Sequence, residues 1–337
     1  MEFGNEGKSV AKEGVAFEAW KRAYADASLV SRNFDIPPGP MKMPPLKSWY
    51  VVLLGLLALL PVQRSLAVVV ITQLHDVVIG RVGDRDLHAD IAYPNSLFGR
   101  LPAVIYIHGG GWNAGTYHTA PLVELARAGY FAASIEYRLS GDALWPAQLE
   151  DCQLGVRWLR TNAAKYRVDP NRIGAWGDSA GGHLVACLGT MADVKDAAGD
   201  GQYPGISNAV QAVVIYYGPT DLTTPAIADH LTALEGLFGT TYALNPALWK
   251  SASPLYAVKP GDPPMFLVQG DSDQAIPVSQ SIIFAAALAK AGVPHQLLIV
   301  KNAGHDFAPA SGIATDPSPG QINRAVLDFL YKYLRPR

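Results

Sequence analysis

Asn171 to His183 reads NRIGAWGDSAGGH, and this stretch decides how the rest of the chain is read. Ile173 to Trp176 is a short β-prone apolar run, and Leu184 to Leu188 is compatible with a helix. Between them Gly177, Asp178, Ser179, Ala180 and Gly181 form the pattern G-x-S-x-G in a strand-turn-helix setting. A serine on so tight a turn is held in a strained backbone conformation, and residues two positions to either side must be small to avoid collision. Gly177 and Gly181 meet that requirement. The turn lifts the Ser179 hydroxyl off the sheet and leaves the Ala180 amide at a helix N-terminus, facing any negative charge that develops there. Taken alone, five residues of this kind also suit a glycine-rich turn with a bystander serine, so the context must decide.

The context is a chain of 337 residues, 49% hydrophobic, long enough to bury a large core in one α/β domain with an appendage. A net charge of -2 and a pI near 6.4 point away from nucleic acid or an anionic membrane surface as partner. Only Cys152 and Cys187 are present, which excludes a disulfide framework or a cysteine-rich metal site. Both fall in apolar helical patterns and are expected as buried thiols; one bridge between them is the alternative for an exported protein.

Along the chain, residues 1–40 are mixed in charge, end in a Pro-Gly breaker and carry no assignable role. Residues 41–67 have the layout of a secretory signal. Lys42 and Lys47 precede an apolar run from Trp49 to Leu60, Pro61 ends it, and Ser65 and Ala67 supply small residues at cleavage-like spacing. The run is short for a spanning helix, and a signal anchor over residues 49–71 is the less favoured alternative because Gln63 and Arg64 interrupt it. The expectation is a secreted or periplasmic protein without a stable span after processing, with Met41 or Met43 as the natural start or the leading segment a mis-assigned reading frame.

Residues 68–337 read as the catalytic domain. Asp76 to Arg81 and Leu87 to Tyr93 are strand-like, and strands and helices then alternate: Ala103 to Ile107, a helix from Thr119 to Ala128, Phe131 to Glu136, a long helix from Pro146 to Tyr166, and the turn strand Arg172 to Trp176. Val210 to Tyr216, Met265 to Val268 and Gln296 to Val300 follow as strands, with helices over Val278 to Ala291 and Ile322 to Leu334. Such alternation implies a mainly parallel sheet covered on both faces, whose ligands bind at the carboxyl ends of the strands.

The chemistry-bearing residues fall at those ends. His108-Gly109-Gly110-Gly111-Trp112 follows a strand, and consecutive glycines cost backbone entropy unless main-chain amides must approach a ligand. Gly110 and Gly111, with Ala180, are the candidate donors to an oxyanion. A serine hydroxyl needs a base, and the base an orienting carboxylate, which follow the serine in the order acid then histidine. His305, in a loop beyond the last strand, is the candidate base; His183, His230 and His295 are badly placed. Asp273 is preferred as the acid over Asp271, which directly follows Gly270 and reads as a loop-shaping residue, while Asp221 reads as a turn or cap. Trp112 and Tyr217 are candidate substrate-pocket walls, with plain packing as the alternative. Residues 220–254 read as a cap, in which Leu231, Leu234, Leu237, Phe238 and Trp249 either line a pocket or form the underside of surface helices.

From about Asp76 onward the chain resembles the α/β-hydrolase superfamily, and within it the hormone-sensitive-lipase-like and feruloyl-esterase-like bacterial carboxylesterases. The resemblance rests on HGGGW (108–112), the run from Trp145 to His183, YYGPTDL (216–222), QGDSDQAIP (269–277) and AGHDF (303–307). It implies an α/β-hydrolase fold with a small cap insertion. It also implies a triad of Ser179, Asp273 and His305 that cleaves small-molecule esters of short-chain or aromatic acids through an acyl-enzyme, without metal or organic cofactor. Gln269 stands where relatives often have histidine, and Asp178 where many have glutamate. Amide or long-chain lipid hydrolysis on the same triad, and a catalytically silent binding fold, are the alternatives; the oligomeric state is left open.

Overall fold

The computed structural model describes residues 69–95, 99–192, 202–228 and 232–335, so the segments 1–40 and 41–67, with Leu231 and His230, lie outside the described residues. Among the described residues one sheet of 8 strands runs in the order β1-β2-β4-β3-β5-β6-β7-β8. The strands are β1 (Ile71–Val82), β2 (Arg85–Pro94), β3 (Leu101–Ile107), β4 (Phe131–Ile135), β5 (Val168–Asp178), β6 (Ala212–Tyr216), β7 (Met265–Gly270) and β8 (His295–Val300). β1 and β2 form an antiparallel hairpin, β2 pairs antiparallel with β4, and every pairing from β4 to β8 is parallel.

Parallel strands joined by crossovers are covered on both sides, and β4, β6 and β7 are accordingly buried at every position. Because side chains alternate across the sheet, each strand feeds two cores. Ile105, Ala133, Ala175, Val213 and Leu267 face one, beneath the helices α2 (Ala147–Thr161), α3 (Ala180–Thr190) and α7 (Ser279–Lys290). Val104, Ala132, Trp176, Val214 and Phe266 face the other, beneath α1 (Leu122–Arg127) and α8 (Pro319–Leu334). Full burial of a valine, leucine, isoleucine or phenylalanine among them contributes roughly 1.5–3 kcal/mol.

Several boundaries differ from the sequence reading, each for a local reason. The hairpin is longer, since β1 and β2 supply each other with backbone partners from Ile71↔Pro94 to Val82↔Arg85, with an irregularity between Leu74 and Val77 where Asp76 adopts a φ of 54°. The helix read from Thr119 starts as a 3-10 turn (Tyr117–Thr119) and becomes α1 only at Leu122, because Pro121 has no N–H to give to a preceding turn. The helix read to Tyr166 ends at Thr161, and Asn162 folds its side-chain amide onto the Trp158 carbonyl at 2.9 Å. The segment between β6 and β7 contains the short helices α4 (Pro225–Ala228), α5 (Thr232–Phe238) and α6 (Pro246–Ser251). Cys152 and Cys187 are buried free thiols. No helix among the described residues is long and apolar enough to cross a membrane.

Candidate active site

β5 delivers the chain into the sharp turn at its carboxyl end. Ser179 has φ 51°, ψ -118°, outside the regions that L-residues favour, and its own amide donates to the Tyr216 carbonyl of β6 at 2.9 Å. The His183 amide donates back to the Ser179 carbonyl at 3.0 Å and starts α3. A Cβ on Gly181 would fall inside van der Waals contact of the Ile107 carbonyl oxygen, so only glycine lets α3 approach β3 here. The Ser179 side chain is thereby aimed away from the sheet by backbone that cannot easily rotate.

Two loops from β7 and β8 meet it. His305 Nε2 lies 3.1 Å from Ser179 Oγ, and His305 Nδ1 lies 2.8 Å from Asp273 Oδ2. The structure therefore brings together three residues that are up to 126 positions apart in the chain. Asp273 is buried, and its carboxylate is fully engaged. Oδ1 accepts the Ala275 and Ile276 amides, each at 2.9 Å, and Oδ2 accepts the Gln269 side-chain amide at 3.0 Å as well as His305. The loops are docked on each other: Asp271 N–H donates to the Val300 carbonyl at 3.0 Å and Ser272 N–H to the Ala303 carbonyl at 2.9 Å. Gly270 is required at the contact, since a Cβ there would collide with the Ala303 carbonyl.

The electrostatics suit a base. Burial opposes protonation of His305, but the hydrogen bond and charge of Asp273, with the charges of Asp306 and Asp178, outweigh it and hold the imidazole above its ordinary value. Asp306 is itself pushed up, by burial first, against the attraction of His305. Asp178 accepts the Tyr106 hydroxyl at 2.6 Å, which keeps the residue preceding Ser179 tied to β3.

Gly109 lies against Ser179 and Asp178, so the loop after β3 runs beside the turn. Gly110 and Gly111 have φ 108° and 59°, and the Gly110 carbonyl accepts the Asn113 and Ala114 amides at 3.2 and 3.0 Å, closing the loop into a compact curl. Ala180 stands as the first residue of α3, directly after Ser179. His108 anchors this curl. Its Nδ1 is 2.7 Å from the Gly109 carbonyl, which it donates to, and its ring stacks on Tyr137 at 4.4 Å. Burial lowers its proton affinity, so it acts as a neutral donor.

Trp112, read on sequence as a pocket wall or plain packing, is buried. Its indole is 2% exposed within the main core and donates Nε1–H to His183 Nδ1 at 3.3 Å, because Gly111 and Trp112 both adopt φ near 60° and turn the side chain inward. Tyr217 is also buried, with φ 37°; its ring packs on the His305 imidazole at 4.5 Å and on Phe307 at 4.8 Å. Leu234, Leu237, Phe238 and Trp249 are likewise enclosed in the core, the underside of α5 and α6. Asp221 shapes a turn by accepting the Thr223 amide at 3.0 Å, and Asp271 is exposed with Ser272 as its partner.

With this geometry in view, comparison with known proteins is decisive: the BD-FAE family profile matches residues 89–288, more than half of the chain. The chain belongs to the BD-FAE family. Its architecture is that of the α/β hydrolases. It is 34% identical over 238 residues to Esterase LipQ of Mycobacterium tuberculosis, a match covering 68% of this chain and 55% of that protein. The carboxylesterase NlhH of the same organism is 27% identical, with 74% of this chain and 81% of the relative covered. Among solved structures, a truncated carbohydrate esterase from gut microbiota superposes with a TM-score of 0.67 at 29% identity, covering 77% of this chain and 95% of the other. The chain spans only about half the length of LipQ.

Residues that the sequence reading gave no role are Gln269, which holds the Asp273 carboxylate, and His108, which holds the curl. Gln269 had one available signal, its place at the head of the acid loop. His108 had another, its place before the glycines.

Proposed function

We propose that this chain is a serine carboxylesterase that hydrolyses small esters of short-chain or aromatic carboxylic acids. The observation that carries the reading is the single imidazole, His305, in hydrogen-bond reach of both Ser179 Oγ and Asp273 Oδ2. The named esterase relatives support ester hydrolysis as the reaction class.

The chemistry follows from the geometry. His305 Nε2 takes the Ser179 proton as Oγ attacks the ester carbonyl, and Asp273 keeps the remaining ring proton on Nδ1. The carbonyl oxygen becomes an anion among the amides of Gly110, Gly111 and Ala180, each such donor contributing roughly 2.7–4 kcal/mol in the transition state. His305 then protonates the leaving alcohol. Water repeats the sequence, giving its proton to His305 while its oxygen attacks the acyl carbon, and Ser179 leaves with the proton returned. Each proton transfer runs through His305, which already lies in reach of Ser179 Oγ and Asp273 Oδ2.

The preference for a short acyl chain is supported by enclosure: Leu234, Leu237, Phe238 and Trp249, read on sequence as available to line an acyl or alcohol pocket, and Trp112, read as a candidate pocket wall, are packed in the core. We also propose export directed by residues 41–67; N-terminal sequencing of the protein from its native host, showing a mature end near Met1, would defeat it. The reaction is tested by hydrolysis of p-nitrophenyl esters of rising chain length, methyl ferulate and a matching anilide, beside Ser179→Ala. Activity on short acyl and aromatic esters that vanishes in the variant is expected. Preference for long-chain triglycerides or for the anilide would overturn the assignment.

A further inference from the structure

Away from the triad, three ligand-type side chains from separate parts of the chain converge. His75 on β1 places Nδ1 2.9 Å from Asp90 Oδ2 on β2, and His118 in the 3-10 turn places Nδ1 2.8 Å from the same oxygen. One ligand atom from each of the three lies within 4.8 Å of both others. The Asp90 side chain is 4% exposed, whereas the imidazoles are 66% and 49% exposed, so the cluster is anchored from below and open above.

Its surroundings are ordered around that opening. Asp90 Oδ1 accepts the Asp76 amide at 3.0 Å, which aims Oδ2 at the two rings. On the far side of His118, Nε2 lies 4.0 Å from Asp76 Oδ1, and Asp76 Oδ1 accepts the Tyr117 hydroxyl at 2.7 Å. Two solvent-facing imidazoles that present the same ring nitrogen to one buried carboxylate oxygen are either a hydrogen-bonded trio or a ligand set. A tetrahedral zinc ion with bonds of about 2.0–2.1 Å spaces its ligand atoms roughly 3.3 Å apart, so each imidazole nitrogen would move out from the Asp90 oxygen by about half an ångström, within the reach of exposed side chains whose ligand atoms all lie within 4.8 Å of one another. Two nitrogens and one carboxylate suit zinc, while calcium and magnesium take oxygen ligands. Coordination through Nδ1 moves the ring proton to Nε2, and in His118 that proton then faces Asp76, the carboxylate arrangement that orients metal-bound histidines.

We propose that His75, Asp90 and His118 form a zinc site, completed by solvent, that fastens the β1–β2 hairpin to the segment running on from the Gly109–Gly111 curl. Asp76 and Tyr117 are its outer partners. None of these residues belongs to the hydrolytic constellation, so the site is structural.

The test uses the untagged full chain, stripped with a chelator and titrated with zinc chloride alone, by calorimetry and by thermal unfolding. A single equivalent should bind and raise the unfolding temperature, since an ion bound only by the folded state stabilises it. His75→Ala and His118→Ala should each lose the binding while keeping wild-type zinc-free hydrolysis. Asp76→Asn, which tolerates the same backbone angle, should weaken binding roughly tenfold, as outer partners do. Absence of both heat and unfolding shift in the wild type would leave the trio as hydrogen bonds and end the proposal. Undiminished binding by the His75→Ala/His118→Ala double variant would also end it.

Discussion

Gln269 Nε2 donates to Asp273 Oδ2 at 3.0 Å, on the same oxygen that receives His305 Nδ1. The Gln269 amide also donates to the Ile276 carbonyl at 3.0 Å and its oxygen accepts the Ser281 hydroxyl at 3.0 Å, so the side chain is locked and the carboxylate with it. In the proposed mechanism Gln269 is a positioning group, acting on His305 through Asp273. Gln269→Leu keeps the volume but removes the donor, and a hydrogen bond to a charged group is worth about 1.5–3 kcal/mol. We expect kcat to fall roughly tenfold or more with KM little changed, and the pH profile to move, because the carboxylate is freer. Unchanged kcat and pH profile in folded variant would show that the loop amides suffice.

The pH profile follows from His305. In the proposed mechanism its imidazole must be neutral to accept the serine proton, and the surrounding carboxylates hold it protonated to higher pH than its ordinary value of 6.5. Activity is therefore lost as pH falls through a midpoint above 6.5, measured as kcat/KM on a short-chain ester. Asp273→Asn removes the neighbouring charge, so the midpoint should fall while kcat drops by about 10⁴-fold through the wrong ring tautomer. An acid limb that stays put in the variant would dissociate it from His305.

His183 makes a separate prediction about stability. Its Nε2–H donates to the Ala252 carbonyl at 2.8 Å, Nδ1 accepts from Trp112, and burial lowers its pKa to about 4. The unfolded imidazole takes a proton near 6.5, so between 6.5 and about 4 the unfolded state binds more protons and stability falls as pH falls. The full loss below that window is on the order of 3 kcal/mol. Denaturant midpoints across this range should decline less in His183→Gln than in the wild type; parallel declines would mean that other groups dominate.

Gly181→Ala tests the turn. The added methyl meets the Ile107 and His108 carbonyl oxygens, which are sheet and loop backbone and cannot rotate aside. Overpacking typically costs 1–3 kcal/mol, and rigid backbone on both sides places this case at or above about 3 kcal/mol. Chemical denaturation should show that loss together with strongly reduced serine labelling by a phosphonate. A variant of wild-type stability and labelling would refute the close approach.

Legibility from sequence was uneven in an instructive way. The serine turn, the glycine loop and the strand alternation could be read because each is governed by neighbours in the chain: small residues where backbones touch, apolar runs where the sheet is buried. Gly181 and Ile173 announce their environment by residue type alone. Helix ends were harder, since Pro121 and Asn162 act through turns whose geometry depends on where the chain must go next.

Composition and spacing by themselves determined the layered class, the positions of Ser179, Asp273 and His305 at strand ends, and the glycine-bearing loop beside them. Tertiary structure alone decided that Trp112 and Tyr217 are enclosed, that Gln269 grips the acid, that His108 pins the curl, and that His75, Asp90 and His118 meet. The reason is range. A turn is a contest among adjacent residues, whereas a side chain's burial and partners are set when segments many positions apart are brought together by packing the sheet.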